Sequence, residues 1–200
     1  MDYTTVAKRA EHVEVIRASR FIGLAAPIED VQEAEALIGE ARTLHPDANH
    51  HCWAWRFGPD MRFSDDGEPG GTAGRPMLEV LLRRELHNAA AVVTRYFGGT
   101  RLGAGGLVRA YSGTVAKTLD AAGTRLVIAR GTLSATVPFA LVDSMLRYLE
   151  QWDSLKTLAS DYTADGLELL LSMPLGELDA LAAGLRDHSR GEVEAERIES

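Results

Sequence analysis

Two glycine-rich segments of the sequence combine a flexible backbone with charged side chains of opposite sign. The first, DDGEPGGTAGRP, spans residues 65–76 and is acidic, and the second, RYFGGTRLGAGG, spans residues 95–106 and is basic. Glycine loses more conformational entropy on folding than any other residue. Such clusters therefore indicate tight turns, or a backbone that must approach something closely.

The basic segment is predicted to form an anion-binding turn between a strand and a helix. Residues 88–97 are a continuous apolar run, typical of a strand covered on both faces, and a helix is predicted from about Leu107. The N–H groups of glycine turns and of first helical turns attract anions, although the alternative is a plain turn with solvated arginines. The residues assigned to this nucleic-acid or anion site are Arg95, Tyr96, Phe97, Gly98, Gly99, Arg101, Gly103, Gly105, Gly106 and Arg109.

Two aromatic residues close the apolar run, and one of them could stand exposed as a stacking platform for a base. Core packing of both Tyr96 and Phe97 is the alternative. The segment is not a standard nucleotide loop, because the sequence has no Walker pattern and Val108 stands where G-x-G-x-x-G needs its last glycine.

The acidic segment supports two interpretations. Asp65, Asp66 and Glu68 could hold Mg²⁺ against a phosphate at the basic segment, which makes Asp65 and Asp66 the candidate metal ligands. Carboxylates in turns more often accept hydrogen bonds from backbone N–H groups. We therefore expect no cofactor, with Mg²⁺ as the open alternative. The run His50, His51 and Cys52 is expected to pack rather than bind metal, because neighbours on a strand point to opposite faces.

Charge is shared unevenly along the chain, whose net charge is −8. Residues 1–125 carry 15 Lys and Arg against 16 Asp and Glu, whereas residues 126–200 carry 6 against 13. This balance argues against a protein that coats nucleic acid by bulk attraction, so any such contact needs a focused patch. The acidic C-terminal part would suit a basic protein partner.

Composition favours a cytoplasmic protein. No apolar run approaches the roughly 20 residues that cross a bilayer, and the N-terminus lacks the order of a secretory signal, so no membrane partner is expected. A single cysteine, Cys52, excludes an intramolecular disulfide.

The elements before the basic segment are predicted from periodicity and turn residues. Residues 12–28 favour one or two strands, and Asp30 caps a helix that ends before Pro46. Residues 50–57 and 61–65 form a hairpin, and a second helix starts at Pro76.

The C-terminal part is predicted to follow the order β-α-β-β-α-β, with a hairpin turn at Asp165 and Gly166. This is the order of a ferredoxin-like sandwich. The predicted fold class is α+β, with one domain over residues 1–126 and a second over residues 127–200.

Four stretches of the sequence resemble the YigZ/IMPACT family: SRFIG, DANHHCWAWRFG, SDDGEPGGTAGRPMLEVL and VVTRYFGGTRLGAGGLVRAYSG. The resemblance covers about residues 19–122, and both glycine-rich segments belong to the family signature. It implies an N-terminal domain like the second domain of ribosomal protein S5. It also implies a C-terminal ferredoxin-like domain similar to the fifth domain of elongation factor G.

The resemblance points toward RNA or the ribosome, and eukaryotic relatives regulate translation in the amino-acid starvation response. We therefore expect a non-enzymatic regulator of translation or of a stress response that binds RNA or the ribosome through the basic segment. Two alternatives stay open, because fold does not fix function. One is an enzyme of S5-like fold acting on a nucleotide or another phosphate ligand, and the other is a protein-interaction module using the acidic C-terminal domain.

Overall fold

The computed structural model describes residues 1–198, and the chain forms two compact units. The first unit comprises Tyr3–Val127, and the second begins at Ile128 and includes Met1–Asp2. Both units combine helices with antiparallel strand pairs, so the predicted α+β class is confirmed. Within residues 1–198, no helix has both the length and the apolar character that crossing a membrane requires.

The first unit contains a five-stranded sheet and a two-stranded sheet with three helices. Its strands are β1 (Tyr3–Val6), β2 (Ala10–Ile16), β3 (Ser19–Pro27), β4 (His50–Phe57), β5 (Asp60–Ser64), β6 (Ala89–Tyr96) and β7 (Thr124–Val127). Its helices are α1 (Val31–Leu44), α2 (Gly74–Arg83) and α3 (Ala104–Ala122).

The large sheet has the strand order β2-β3-β6-β4-β5, and β1 pairs separately with β7. Strand β6 lies at the centre and is buried along nearly all its length, as its continuous apolar sequence predicts. Helices α2 and α3 cover one face, where Phe21, Met77 and Tyr111 are buried. Helix α1 covers the other face through residues such as Leu37, which packs with Trp55.

Helix starts follow local hydrogen bonding. The Asp30 carboxylate accepts from the Glu33 N–H at 2.8 Å, so the predicted cap of α1 is confirmed. Helix α3 begins at Ala104 rather than near Leu107, because the Leu107 N–H already donates to the Gly103 carbonyl at 2.9 Å. Helix α2 begins two residues before Pro76, which the helix tolerates because first-turn N–H groups lack intrahelical acceptors.

Strand register brings the two glycine-rich segments to the same end of the sheet. Arg95 at the end of β6 lies opposite His50 at the start of β4. Ser64 at the end of β5 lies opposite Trp53, close to that same start. The acidic segment leaves β5 and the basic segment leaves β6, so both begin at neighbouring points of the sheet edge.

The second unit has the predicted β-α-β-β-α-β order. Its elements are β8 (Arg130–Val137), α4 (Val142–Leu149), β9 (Lys156–Tyr162), β10 (Leu167–Pro174), α5 (Leu178–His188) and β11 (Ala195–Ile198). The antiparallel sheet has the order β11-β8-β10-β9. Leu133, Met145, Leu171 and Leu181 share its core. The hairpin between β9 and β10 turns at Asp165 and Gly166, as predicted.

Candidate functional site

The two glycine-rich segments meet at a cavity of about 430 Å³, which we call the first cavity. This volume lies within the range of small-molecule sites. The acidic segment contributes Gly67, Glu68 and Pro69 to its wall. The basic segment contributes Arg95, Phe97, Arg101, Leu102, Gly103 and Ala104, and His50 and Leu107 complete the lining.

Arg95 stands in the wall of the first cavity as one half of a buried ion pair. The side chain is only 4% exposed, and its guanidinium donates to Glu68 Oε1 at 2.6 Å and to Ser19 Oγ at 3.2 Å. Its central carbon lies 5.4 Å from the ring centres of both Phe21 and Phe97. The sequence predicted Arg95 as a free positive charge, but the Glu68 carboxylate neutralises it.

Glu68 ties three elements together around this ion pair. Its Oε1 atom also accepts from the Tyr111 hydroxyl of α3 at 2.7 Å. Burial raises the pKa of Tyr111 above its ordinary value, so the hydroxyl keeps its proton and remains a donor. Glu68 of the acidic segment thereby joins β6 and α3.

The carboxylates of Asp65 and Asp66, the candidate metal ligands, accept hydrogen bonds from protein groups. Asp65 accepts from the N–H groups of Gly71, Ala73 and Gly74 at 2.7, 2.9 and 2.8 Å. Asp66 accepts from the His51 N–H at 2.6 Å and from Arg42 at 3.2 Å. Among residues 1–198, no group of three His, Cys, Asp or Glu side chains is placed to hold a metal ion. The hydrogen bonds from backbone N–H groups agree with the second interpretation of the acidic segment, in which its carboxylates accept such bonds instead of holding a metal ion.

Phe97 and Tyr96 have different surroundings. Phe97 is 46% exposed and lines the first cavity, while its N–H donates to Asn49 Oδ1 at 2.8 Å. Tyr96 is partly buried, with its hydroxyl 3.1 Å from His45 Nδ1. It does not belong to the lining of that cavity, so of these two residues Phe97 is the one that can offer a ring face there.

Helix α3 directs an uncapped N-terminus at the first cavity. Gly103 precedes the helix with φ at 74°, in the left-handed region that favours glycine, and supplies no side-chain cap. The first-turn N–H groups lack intrahelical acceptors and carry a partial positive charge. Arg101 is exposed at the same wall.

Gly98 explains part of the glycine content of the basic segment. A Cβ atom on Gly98 would lie 2.0 Å from the Ala18 carbonyl oxygen, so only glycine fits against the turn between β2 and β3. The Gly98 N–H donates to Ser19 Oγ at 3.2 Å. Gly99, at the exposed tip, adopts φ of 84°.

A second cavity of about 250 Å³ lies beside the first turn of α3. Arg109 was predicted with the anion-binding turn, but it lines this second cavity instead of the first. Its Nη1 atom lies 3.7 Å from the position that a Cβ on Gly105 would take. The complete lining is Ile16, Arg17, Leu102, Gly106, Arg109 and Ala110.

Sequence reasoning missed His50, Ser19 and Arg17 as members of the site. The His50 Nδ1 atom lies 2.8 Å from the Asp66 carbonyl oxygen, which can only accept, so Nδ1 carries a hydrogen. Its Nε2 atom lies 3.9 Å from Glu68 Oε2. The one indication in the sequence that His50 could belong to the site was its position at the start of a predicted strand. Which residue of β6 lies opposite it depends on the register between the two strands.

Cys52 has no features of a reactive thiol. Its side chain is fully buried, and burial raises the pKa of the thiol above its ordinary value. The thiol donates to the Asp65 carbonyl at 3.0 Å. The prediction that Cys52 packs within the core is confirmed.

Comparisons with known proteins identify relatives over most of the chain. The Impact N-terminal domain model matches residues 17–119, which is just over half of the sequence. The chain is 40% identical over 192 residues to the IMPACT family member YigZ of Escherichia coli strain K12, covering 94% of this chain and 93% of that protein. It is 37% identical over 185 residues to the Thermus thermophilus protein described as an IMPACT family member in pol 5'region, covering 90% of this chain and 98% of that one.

A solved structure has the same fold over the whole length of the chain. It is described as the crystal structure of a hypothetical protein, with a TM-score of 0.70 and 37% sequence identity. The match covers 100% of this chain and 98% of that one. By the matched domain and by these full-length relatives, the chain belongs to the IMPACT family.

Proposed function

We propose that this chain is a non-enzymatic regulator of translation or of a stress response that acts in the cytoplasm and binds RNA or the ribosome at the first cavity. One observation carries the proposal. A half-exposed aromatic ring, Phe97, lines the same cavity as Arg101 and the uncapped start of α3. A nucleotide joins a base to a phosphate through its sugar, and this wall offers a partner for the base and one for the phosphate.

The phosphate would meet backbone N–H groups and one free guanidinium. The first turn of α3 presents donors with partial positive charge, as in other phosphate sites. Arg101 adds a full charge, and arginine donors match phosphate oxygens in bidentate geometry. Because Arg95 is neutralised by Glu68, the attraction depends on Arg101 and on the helix rather than on the centre of the basic segment.

The base would stack on Phe97. Aromatic stacking is the common way in which proteins hold unpaired bases, and it contributes about 1–3 kcal/mol per base. The Phe97 ring is held from behind by the Arg95 guanidinium, 5.4 Å from its centre, so one ring face is already supported by the fold. A supported, half-exposed ring loses little further freedom when a base stacks on it.

Domain-level resemblance supports the same conclusion. We propose that the first unit corresponds to the second domain of ribosomal protein S5. The β-α-β-β-α-β order and the β11-β8-β10-β9 sheet of the second unit support a ferredoxin-like assignment, with elongation factor G domain V as the comparison. Both comparisons are with parts of the translation apparatus, which is an argument by analogy.

The test is binding of a fluorescein-labelled single-stranded RNA, followed by fluorescence anisotropy at two salt concentrations. Phe97→Ala is expected to weaken binding by about tenfold, since stacking contributes about 1–3 kcal/mol. Arg101→Ala is expected to weaken binding and to reduce the salt slope by about 0.7 for one lost phosphate.

Matched controls are available for both variants. Phe63→Ala removes another half-exposed ring from the same unit, and Arg147→Ala removes an exposed arginine from the second unit. Both controls should bind like the parent chain. Binding that is independent of salt, or equal in all four variants, would contradict the proposal.

An acidic sheet face favours a second candidate function, protein interaction through the second unit. Leu167, Leu169 and Leu171 of β10 face the core, so Glu168 points to the opposite face, where it lies opposite Asp161. Glu196 of β11, opposite Ser134, lies on that same face. A basic peptide is the chemistry that such a face would bind.

Titration with a labelled oligolysine peptide tests this candidate. A variant with Asp161→Asn, Glu168→Gln and Glu196→Gln should bind the peptide several-fold more weakly at low salt. Arg101→Ala should leave peptide binding unchanged, since Arg101 belongs to the other unit. If the triple variant binds oligolysine as well as the parent chain, the acidic face is not the binding surface.

A further inference from the structure

We infer that the RNA site continues past Leu102 into the second cavity, so that its ligand is a single strand of at least two linked nucleotides. This inference rests on the proposed function, which concerns the first cavity alone. It assigns a role to Arg17 and Arg109, which line only the second cavity.

The two cavities share a wall. Leu102 lines both of them. A Cβ on Gly106 would lie 2.9 Å from Leu102 Cβ, so glycine at this position lets Leu102 rest on the first turn of α3. The cavities therefore flank one helix start, and a bound strand that passes over Leu102 would place neighbouring nucleotides on its two sides.

Positive charge is available in both cavities. Arg101 in the first and Arg17 and Arg109 in the second are exposed, and none of them has an ion-pair partner within residues 1–198. Arg9, Arg42 and Arg84 of this unit are paired with Glu40, Asp66 and Asp120. Arg20, Arg62 and Arg125 also have no ion-pair partner within residues 1–198, but they line neither of these two cavities. Three unpaired guanidinium groups thus lie at the two cavities beside the start of α3, where successive phosphates would meet them.

A buried donor without a hydrogen-bond partner belongs to a residue in the wall of the first cavity. The Nε atom of Arg95 is buried and has no hydrogen-bond partner within the described residues, although Arg95 lines the cavity wall. Leaving a buried donor unsatisfied is unfavourable, and native structures contain few such groups. Because the atom is not exposed, a ligand oxygen would reach it only if the side chains of this wall moved.

The position of Arg17 is fixed by a tight hairpin turn whose two central residues are not glycine. Ile16 lies opposite Ser19, so Arg17 and Ala18 form a two-residue hairpin turn with φ of 46° and 67°. Both angles are in the left-handed region, where residues other than glycine are strained. Strain of this kind is concentrated at functional sites. Gly98 packs against the Ala18 carbonyl, and this contact holds the turn that carries Arg17 in place at the edge of the second cavity.

The exposed ring of Phe97 selects single strands over duplexes. Bases within a duplex are stacked on one another and cannot lie on a protein ring, whereas unpaired bases can. An extended single strand can place one base on Phe97 and carry its next phosphates toward Arg17 and Arg109.

The experiment compares ligands of increasing length with the full chain. Uridine monophosphate, the dinucleotide UpU and octauridylate compete with labelled octauridylate, and an octamer duplex is added as a further arm. Affinity should rise from the monophosphate to the octamer. Arg17→Ala and Arg109→Ala should each weaken octamer binding several-fold and lower the salt slope by about 0.7, with monophosphate binding unchanged. Arg101→Ala should weaken both, and Arg147→Ala should weaken neither.

Each other outcome has a distinct meaning. If Arg101→Ala and Phe97→Ala weaken octamer binding while Arg17→Ala and Arg109→Ala do not, the extension is overturned and the proposed function stands. Equal affinity for monophosphate and octamer, or tighter binding of the duplex, also overturns the extension. If all of these variants bind octauridylate like the parent chain, the proposed function and the extension both fail. Far-ultraviolet circular dichroism of each variant excludes misfolding as the cause of a loss.

Discussion

The guanidinium of Arg95 lies 2.6 Å from Glu68 Oε1, and both side chains are almost completely buried. This pair links the strand that leads into the basic segment with the acidic segment 27 residues earlier. Two desolvated charges stabilise a fold only while they remain paired. The opposite charges of the two glycine-rich segments therefore have a structural explanation in this ion pair.

Removing the Glu68 charge is expected to destabilise the first unit strongly. Glu68→Gln leaves the Arg95 guanidinium buried without a counter-charge, which should lower the free energy of unfolding by about 3–5 kcal/mol. Urea denaturation measures the change. Glu79→Gln is the control, since Glu79 forms only exposed helical ion pairs and should change stability by less than about 0.5 kcal/mol. A loss below about 1 kcal/mol for Glu68→Gln would show that the pair is not buried as described.

Asp65 is expected to stabilise the acidic segment as a cap. Asp65→Ala leaves the N–H groups of Gly71, Ala73 and Gly74 without their acceptor, so the free energy of unfolding should fall by about 2–3 kcal/mol. Asp47→Ala, at an exposed turn position, is the matched control and should have little effect. Equal midpoints of urea unfolding for the two variants would rule out the capping role.

Magnesium and nucleotides should not change thermal stability through the acidic segment. The Asp65 and Asp66 carboxylates already accept hydrogen bonds from protein groups, so a cation would have to displace them. Differential scanning fluorimetry with Mg²⁺ should give a melting temperature within about 1 °C of the metal-free chain, and Mg²⁺ should add nothing to a shift that ATP or GTP produces by binding at the first cavity. A shift that requires nucleotide and disappears in EDTA would instead favour the enzyme alternative.

His51 should make the first unit less stable in mild acid. Burial lowers the pKa of His51, which the charge of Asp66 opposes only in part. The unfolded chain therefore takes up a proton near its ordinary pKa of about 6.5 that the folded chain does not bind. The free energy of unfolding should fall as the pH drops from about 7.5 to about 5.5.

Replacing the His51 imidazole tests whether this side chain causes the pH dependence of the free energy of unfolding. His51→Gln removes the titrating group and should reduce the difference in stability between the two pH values. Thr94→Val removes the 3.0 Å contact between Thr94 Oγ1 and His51 Nδ1 but keeps the imidazole, so the pH dependence should persist. An unchanged difference in His51→Gln would assign the acid sensitivity to other groups.

Relief of backbone strain should stabilise the turn between β2 and β3. Ala18→Gly places glycine at φ of 67°, and the expected gain is about 0.5–1 kcal/mol, because left-handed alanine costs about 1–2 kcal/mol while glycine adds entropy to the unfolded chain. Ala121→Gly, on an exposed position of α3, should lower stability by about 1 kcal/mol. Similar changes for both variants in thermal or urea unfolding would contradict the strain at Ala18.

The sequence pattern predicted helices and strands because residue periodicity and helix caps depend on interactions between residues close together in the chain. The apolar run of β6 indicated a strand covered on both faces, and Asp30 with Glu33 indicated the start of α1. The start of α3 was placed three residues late, since glycine is a poor helix former and the tertiary fold overrides that preference at Gly105 and Gly106. The two-stranded β1–β7 sheet was not predicted, because its strands lie more than a hundred residues apart.

By itself, the sequence determined the α+β class, the order of the elements apart from β1 and β7, the family and the two glycine-rich segments. Tertiary structure decided what each charge does. Arg95 is neutralised by Glu68, and Asp65 accepts hydrogen bonds from backbone N–H groups. Within residues 1–198, Arg101, Arg17 and Arg109 form no ion pair. The physical reason is that period and residue type are local properties, whereas strand register, which sets His50 beside Arg95, is fixed only when distant segments pack.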